Sequence, residues 1–299
     1  MASTDQSTLK FPGLFHASDE ASLRAQRAHV LTLKASLVLL VIGGALSAIS
    51  ISNPVWKFYA ALISTASLVV CVALSIITRM LRKDKQWYEC RAIAESVKSM
   101  AWRYITATGP FRNHAADAAD RAFLDDLERL NKEHSGAAKE YKEELIKLPQ
   151  ITTTMRELRQ KAVDGRLQAY VKERVGDQLG WYAKKTRTNS VYGLGYFLLV
   201  ITCQIGGVFF AGARVFNSIT DVYWAAICVS LATALIAWSQ FRKYEELAQS
   251  YGQAAAELSV IRDRASAIRS EEDLSGYIGE TELAISREHT LWLARRDHR

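Results

Sequence analysis

Between Ala35 and Thr78 the chain carries one charged residue, Lys57, and nothing constrains its fold more than this. Each half of the stretch, Ala35 to Trp56 and Phe58 to Thr78, matches the ~20 apolar residues an α-helix needs to cross ~30 Å of hydrocarbon. Asn53-Pro54 divides them, and a residue before proline is pushed out of helical geometry. The stretch therefore reads as a membrane hairpin over about 35–78. Uncharged runs of this length are rare in a water-soluble core.

The pattern occurs again further on. Thr188 to Ala213 is uncharged, Arg214 to Asp221 forms a polar turn, and Val222 to Phe241 is again uncharged. A second hairpin is expected over about 188–241. The predicted fold is an all-α membrane protein: two transmembrane helical hairpins, four crossings, with long cytosolic amphipathic helices. The repeating unit is an incoming helix, a hairpin and an outgoing helix. It predicts one domain over 1–150 and a second over 151–299.

Charge gives the orientation. Arg24, Arg27 and Lys34 precede the first hairpin, and Arg79, Arg82, Lys83 and Lys85 follow it, while its turn holds only Lys57. Lys184, Lys185 and Arg187 precede the second, and Arg242 and Lys243 follow it. The positive-inside rule then puts both termini and the central helices in the cytoplasm. The net charge of +7 suits anionic lipid, because the cations gather beside apolar runs. Nucleic acid is not expected as a partner, since no basic segment is interleaved with exposed aromatics. No signal-peptide pattern precedes the first apolar run, which is expected to stay as an anchor.

Outside the crossings the patterns are helical. Ser18 is placed to cap a helix beginning near Asp19 and running into the first crossing. A helix is expected from Arg79 to Thr108, broken by Gly109-Pro110. An amphipathic helix follows through Phe123, Leu127, Leu130, Tyr141, Leu145 and Leu148, ended by Pro149. Another runs through Met155, Leu158, Ala162, Leu167, Tyr170, Val175 and Tyr182. Tyr244 to Ile268 and a final segment with Leu283, Ile285, Leu291 and Trp292 close the chain.

Catalytic patterns are missing from the sequence. It has no Gly-rich phosphate loop with Lys-Ser/Thr, and Gly193-Leu194-Gly195 lacks both the third glycine and a preceding strand. The six histidines show no ligand spacing with Cys, Asp or Glu. Cys71, Cys203 and Cys228 lie in apolar runs and Cys90 just beyond one, which fits a reducing compartment. No serine or cysteine has a neighbouring base. The chain is therefore expected to be neither an enzyme nor a cofactor binder.

The crossings do carry stripes of small and polar residues. Ser64, Ser67, Cys71, Ser75 and Thr78 share one face of the second crossing, and Gly43 and Ser47 lie on a comparable stripe of the first. In the third, Thr202 and Gly206 align, with Gln204 beside them. Such faces either pack closely against other helices or line water in an oligomeric pore.

Several soluble positions resemble a known family. Trp87, Arg91, Glu95 and Trp102 on the outgoing helix are similar to the first of two linked SLATT domains. (The name stands for SMODS- and SLOG-associating two-transmembrane effector domain.) Arg174, Gln178, Trp181 and Tyr182 resemble the incoming helix of a second such domain, and the stretch around Trp292 resembles its closing helix. The resemblance covers nearly the whole chain. It implies a membrane effector of bacterial conflict systems in the inner membrane, which forms pores when a separate nucleotide-producing or nucleotide-sensing protein detects infection. Four crossings are few for a monomeric pore, so a homo-oligomer in the lipid bilayer is expected. The competing reading is a non-conducting membrane scaffold whose cytosolic helices bind a partner protein.

Overall fold

The computed structural model describes residues 9–216 and 223–297, with backbone alone for 216 and 287–297. These residues are helical almost throughout. The chain folds into two compact units, each assembled from both halves of the sequence. One comprises Met1–Gln26, Asp84–Lys185 and Ser250–Arg299; the other comprises Arg27–Lys83 and Thr186–Gln249.

The second unit holds the apolar runs. Its residues come from α1 (Gly13–Ser47), α2 (Pro54–Leu81), α8 (Asp177–Phe216) and α9 (Trp224–Arg242). All four helices are long and apolar enough to cross a membrane, and only 6% to 17% of the residues in their most apolar windows are buried. Apolar side chains such as Val69, Val72, Phe197 and Val208 point outward. In water that surface would be unfavourable at about 25 cal/mol per Å², whereas a bilayer solvates it. The chain is an all-α protein of the membrane type.

Asn53-Pro54 turns the chain as predicted. Asn53 caps α2, its side chain accepting hydrogen bonds from Val55 N at 3.0 Å and Trp56 N at 3.3 Å. Each hairpin ends on a cation in the left-handed region: Arg82 after α2 (φ 44°) and Lys243 after α9 (φ 51°). Each donates its backbone N–H to the last turn, at Thr78 O and Ser239 O respectively. A β-carbon makes this conformation cost about 1–3 kcal/mol, so the matched breaks are held by the surrounding packing. The continuous helix predicted from Arg79 to Thr108 is therefore interrupted at Arg82, and α3 spans Lys83–Ile105.

The first unit is a helical core built on α3, whose Cys90, Ile93, Ala94, Val97, Ala101, Trp102 and Ile105 recur every three or four residues and are buried. Against them pack Phe123 and Leu127 of α4 (Ala116–Glu133), Met155 of α6 (Thr153–Arg159), Tyr170 of α7 (Val163–Tyr170), Leu258 of α10 (Tyr244–Arg264) and Leu274 and Ile278 of α11 (Glu271–Asp297).

Three further helix predictions need correction. α1 begins at Gly13, and Ser18 lies inside it, donating its hydroxyl to Leu14 O (2.7 Å) rather than capping. The start is fixed from a distant segment: Gly13 N donates to Pro149 O and Leu14 N to Gln150 Oε1. A β-carbon at Gly13 would lie 2.6 Å from Leu148 O, which is why glycine stands there. The amphipathic helix through Phe123 and Leu148 is broken after Glu133 into a 3₁₀ turn at Ser135–Glu140 and the single-turn α5 (Glu143–Ile146). Ser135-Gly136 interrupts the helix there, since glycine lowers helix propensity by about 1 kcal/mol. The segment from Met155 to Tyr182 is likewise divided into α6, α7, a π-helical turn at Val171–Gly176 and α8.

Candidate functional site

Within the membrane unit the predicted stripes separate into two sets. Ser64, Ser67 and Cys71 are buried. Ser64 Oγ donates to Gly43 O at 2.9 Å and lies 2.9 Å from Ser47 Oγ, and Cys71 Sγ lies 3.7 Å from Ser36 O. Ser64, Ser47 and Cys71 hold α1 against α2, with Gly43 admitting Leu68, while the buried Ser67 returns its hydroxyl to Ile63 O. Small residues allow such close approach, and hydroxyls bond across it. Thr78 is half-buried, and Ser75 is exposed; both hydroxyls return to their own helix, at Leu74 O and Cys71 O.

Gly206 and Gly207 play the same part between α8 and α9, facing Cys228. The α1–α9 contact forms at Gly44, where an added β-carbon would lie 2.8 Å from Ser230 Oγ. His29 against Phe241, Lys34 over the Trp238 ring at 5.1 Å, and Tyr223 N donating to Ala48 O extend that contact along both helices. The four helices thus join in the order α2, α1, α9, α8. The hairpins are distinct in sequence but form one bundle.

Thr202 and Gln204 behave differently. Both are exposed on α8, although they sit within its apolar run. The Thr202 hydroxyl donates to Leu198 O at 2.8 Å, the usual way a helix satisfies a threonine in lipid. The Gln204 amide is larger, with two donors and an acceptor. An outward amide at hydrocarbon depth is unfavourable unless it meets water or another polar group.

The helical unit brings three of the family-like positions, Arg91, Glu95 and Arg174, into one ion-paired network with a buried centre. Arg174, 1% exposed, makes a two-pronged ion pair with Glu282, also 1% exposed: Nε to Oε1 at 3.0 Å and Nη2 to Oε2 at 2.9 Å. Tyr170 donates its hydroxyl to Glu282 Oε1 at 2.8 Å. Arg174 Nη1 lies 3.9 Å from Glu95 Oε2, and Glu95 Oε1 receives Arg91 at 2.6 Å. Arg91 also reaches Asp19 at 3.0 Å. Arg174 sits in the π-helical turn, a feature common at functional sites because the extra residue re-aims side chains.

The electrostatics follow from this geometry. Burial disfavours the charged Arg174 guanidinium, but Glu282 and then Glu95 outweigh that, and its pKa moves up. For Arg91 burial is likewise outweighed by Glu95 and Asp19. Lys98 goes the other way: burial first, then the nearby Arg174, lower its pKa. Its ammonium stands over the rings of Phe11 and Phe15. Burial, reinforced by Glu282, keeps Tyr170 protonated well above the ordinary phenol range.

The other family-like positions frame this network. Trp102 is fully buried against Phe11 and Tyr170. Trp181 and Tyr182 both pack on Tyr251. Trp87 stacks on Tyr88 at 4.8 Å, and Gln178 is half-buried. Trp292 lies outside the residues whose side chains are described. Sequence reading missed Glu282, Tyr170's hydroxyl and Lys98. A signal was present, because Glu282 interrupts the apolar series Leu274, Ile278, Ile285 at helical spacing. An acid on a buried face calls for a buried cation.

Comparison with known proteins agrees with this architecture. Residues 12–167 match the profile of SMODS and SLOG-associating 2TM effector domain 3, and residues 170–292 match that of effector domain 1. Neither the curated proteins nor the solved structures give a match. With four apolar helices and the two profiles matched over residues 12–167 and 170–292, the chain belongs to the SLATT family of membrane-associated effectors and carries two of its domains in tandem.

Proposed function

We propose that this protein is a bacterial inner-membrane effector whose copies assemble around an axis into a pore that collapses ion gradients. The reading draws chiefly on Gln204. Ser64, Ser67, Cys71 and Gly206 are occupied in packing within one bundle, so they are not the residues we assign to water. Gln204, turned outward from an apolar helix, is suited either to water or to another copy's amide across a subunit contact. No charge ring lies in the crossings, which favours a weakly selective conduit.

In this account both termini and the helical unit are cytoplasmic, and no catalysis is involved. The helical unit receives the trigger, delivered by a separate nucleotide-producing or nucleotide-sensing protein. Such a trigger acts only by favouring the open arrangement over the closed one. The Arg174–Glu282–Glu95–Arg91 network, which couples α11, the π turn, α3 and α1, is the natural element for it to act on. Reconstitution into dye-loaded liposomes tests the proposal: oligomerised protein releases dye, and Gln204→Leu reduces release without loss of folding. A tight vesicle with intact partner capture would instead favour the scaffold.

A further inference from the structure

We propose that the cleft at the turn end of the membrane unit binds the phosphate of an anionic phospholipid headgroup. The cleft, about 540 Å³, lies between the segment Leu46–Ile51 that ends α1, the first turns of α2, Arg214 near the end of α8, and Tyr223 before α9. Among the described residues lining it, Lys57 and Arg214 are the charged ones and none is acidic. Arg214 is held in place over the Tyr223 ring, 4.6 Å from its centroid. The N-termini of α2 and α9 open at the same end, adding positive dipole to two full cations.

A second observation gives the depth. Trp56, Phe58 and Tyr59 on α2, and Tyr223 and Trp224 at the start of α9, are 43% to 66% exposed. Exposed aromatics gather in this way at the boundary between hydrocarbon and headgroups. The cleft is therefore at the level where lipid phosphates are concentrated. Ser50 and Thr65 add hydroxyl donors to its wall. The ammonium of a zwitterionic headgroup would be repelled by the same two cations, so the site favours phosphatidylglycerol-like lipid.

Native mass spectrometry of the full-length protein in detergent tests this, using phosphatidylglycerol, phosphatidylcholine or excess inorganic phosphate as probes. We expect phosphatidylglycerol adducts to exceed phosphatidylcholine adducts. Each of Lys57→Gln and Arg214→Gln should weaken them about five-fold, as about one surface cation's worth of lipid attraction, while Lys57→Arg keeps them. Circular dichroism and a monodisperse elution profile confirm folding of each variant. Unchanged adducts in both folded variants would overturn the proposal. So would displacement of the lipid by inorganic phosphate, which would make this a free-anion site. The outcome is independent of whether the protein conducts.

Discussion

At the scale of single residues, the Arg174–Glu282 pair shows how a buried charge is tolerated. Removing one partner leaves the other charged and dry, so Arg174→Ala should destabilise the helical unit by about 3–5 kcal/mol. Replacing both, as Arg174→Met with Glu282→Leu, should recover most of that loss. Chemical denaturation of the detergent-purified variants reads both values. If the double variant is as unstable as the single one, the pair contributes through something other than compensated charge.

Titration supplies a second test at this scale. Lys98 has its pKa lowered on folding from 10.5, by burial. Between the lowered value and 10.5 the unfolded chain binds more protons, so stability rises with pH there. Tyr170, Tyr104 and Tyr141 have theirs raised from 10.0, chiefly by burial, and Tyr277 is pushed up to about 12. Above pH 10 the unfolded phenols ionise while the folded ones hold their protons, so stability falls. Melting temperature should therefore climb toward about pH 10 and then drop. Lys98→Met should flatten the rising limb and leave the alkaline fall in place. A monotonic profile would contradict this placement of Lys98.

At the scale of elements, much was legible. Asn53-Pro54 and the uncharged runs located the four apolar helices, because lipid imposes its length on any sequence that crosses it; the second turn predicted at Arg214 to Asp221 lies largely outside the described residues. Small residues were legible as well, but their partners were not. Ser64 and Gly43 face each other only because α1 and α2 are antiparallel, and Gly44 meets Ser230 across more than 180 residues of chain. The start of α1 was misread for a similar reason: Pro149 and Gln150, not Ser18, satisfy its first amides. The break at Arg82 had no glycine to announce it. Gly44 offers the element-scale prediction. Alanine there meets only the rotatable Ser230 hydroxymethyl, whereas Gly44→Leu must push α1 from α9. Melting in detergent should show a small change for Gly44→Ala and a drop of several degrees for Gly44→Leu, on the order of the 1–3 kcal/mol that overpacking costs.

At the scale of the whole molecule, two domains in sequence produce two units in space that do not follow the sequence boundary. Each unit takes chain from both domains. The helical unit is an apolar core that encloses the Arg174–Glu282 pair, and the membrane unit is built from small residues turned inward and apolar residues turned outward. The membrane unit is the part whose outward apolar surface suits lipid, as befits a membrane-associated effector. The most direct test is release of dye from liposomes by the reconstituted wild-type protein, compared with Gln204→Leu at matched incorporation. The account predicts release that grows with protein per vesicle more steeply than linearly, and that Gln204→Leu suppresses it. Vesicles that stay sealed at every loading, although the protein is folded and inserted, would contradict it.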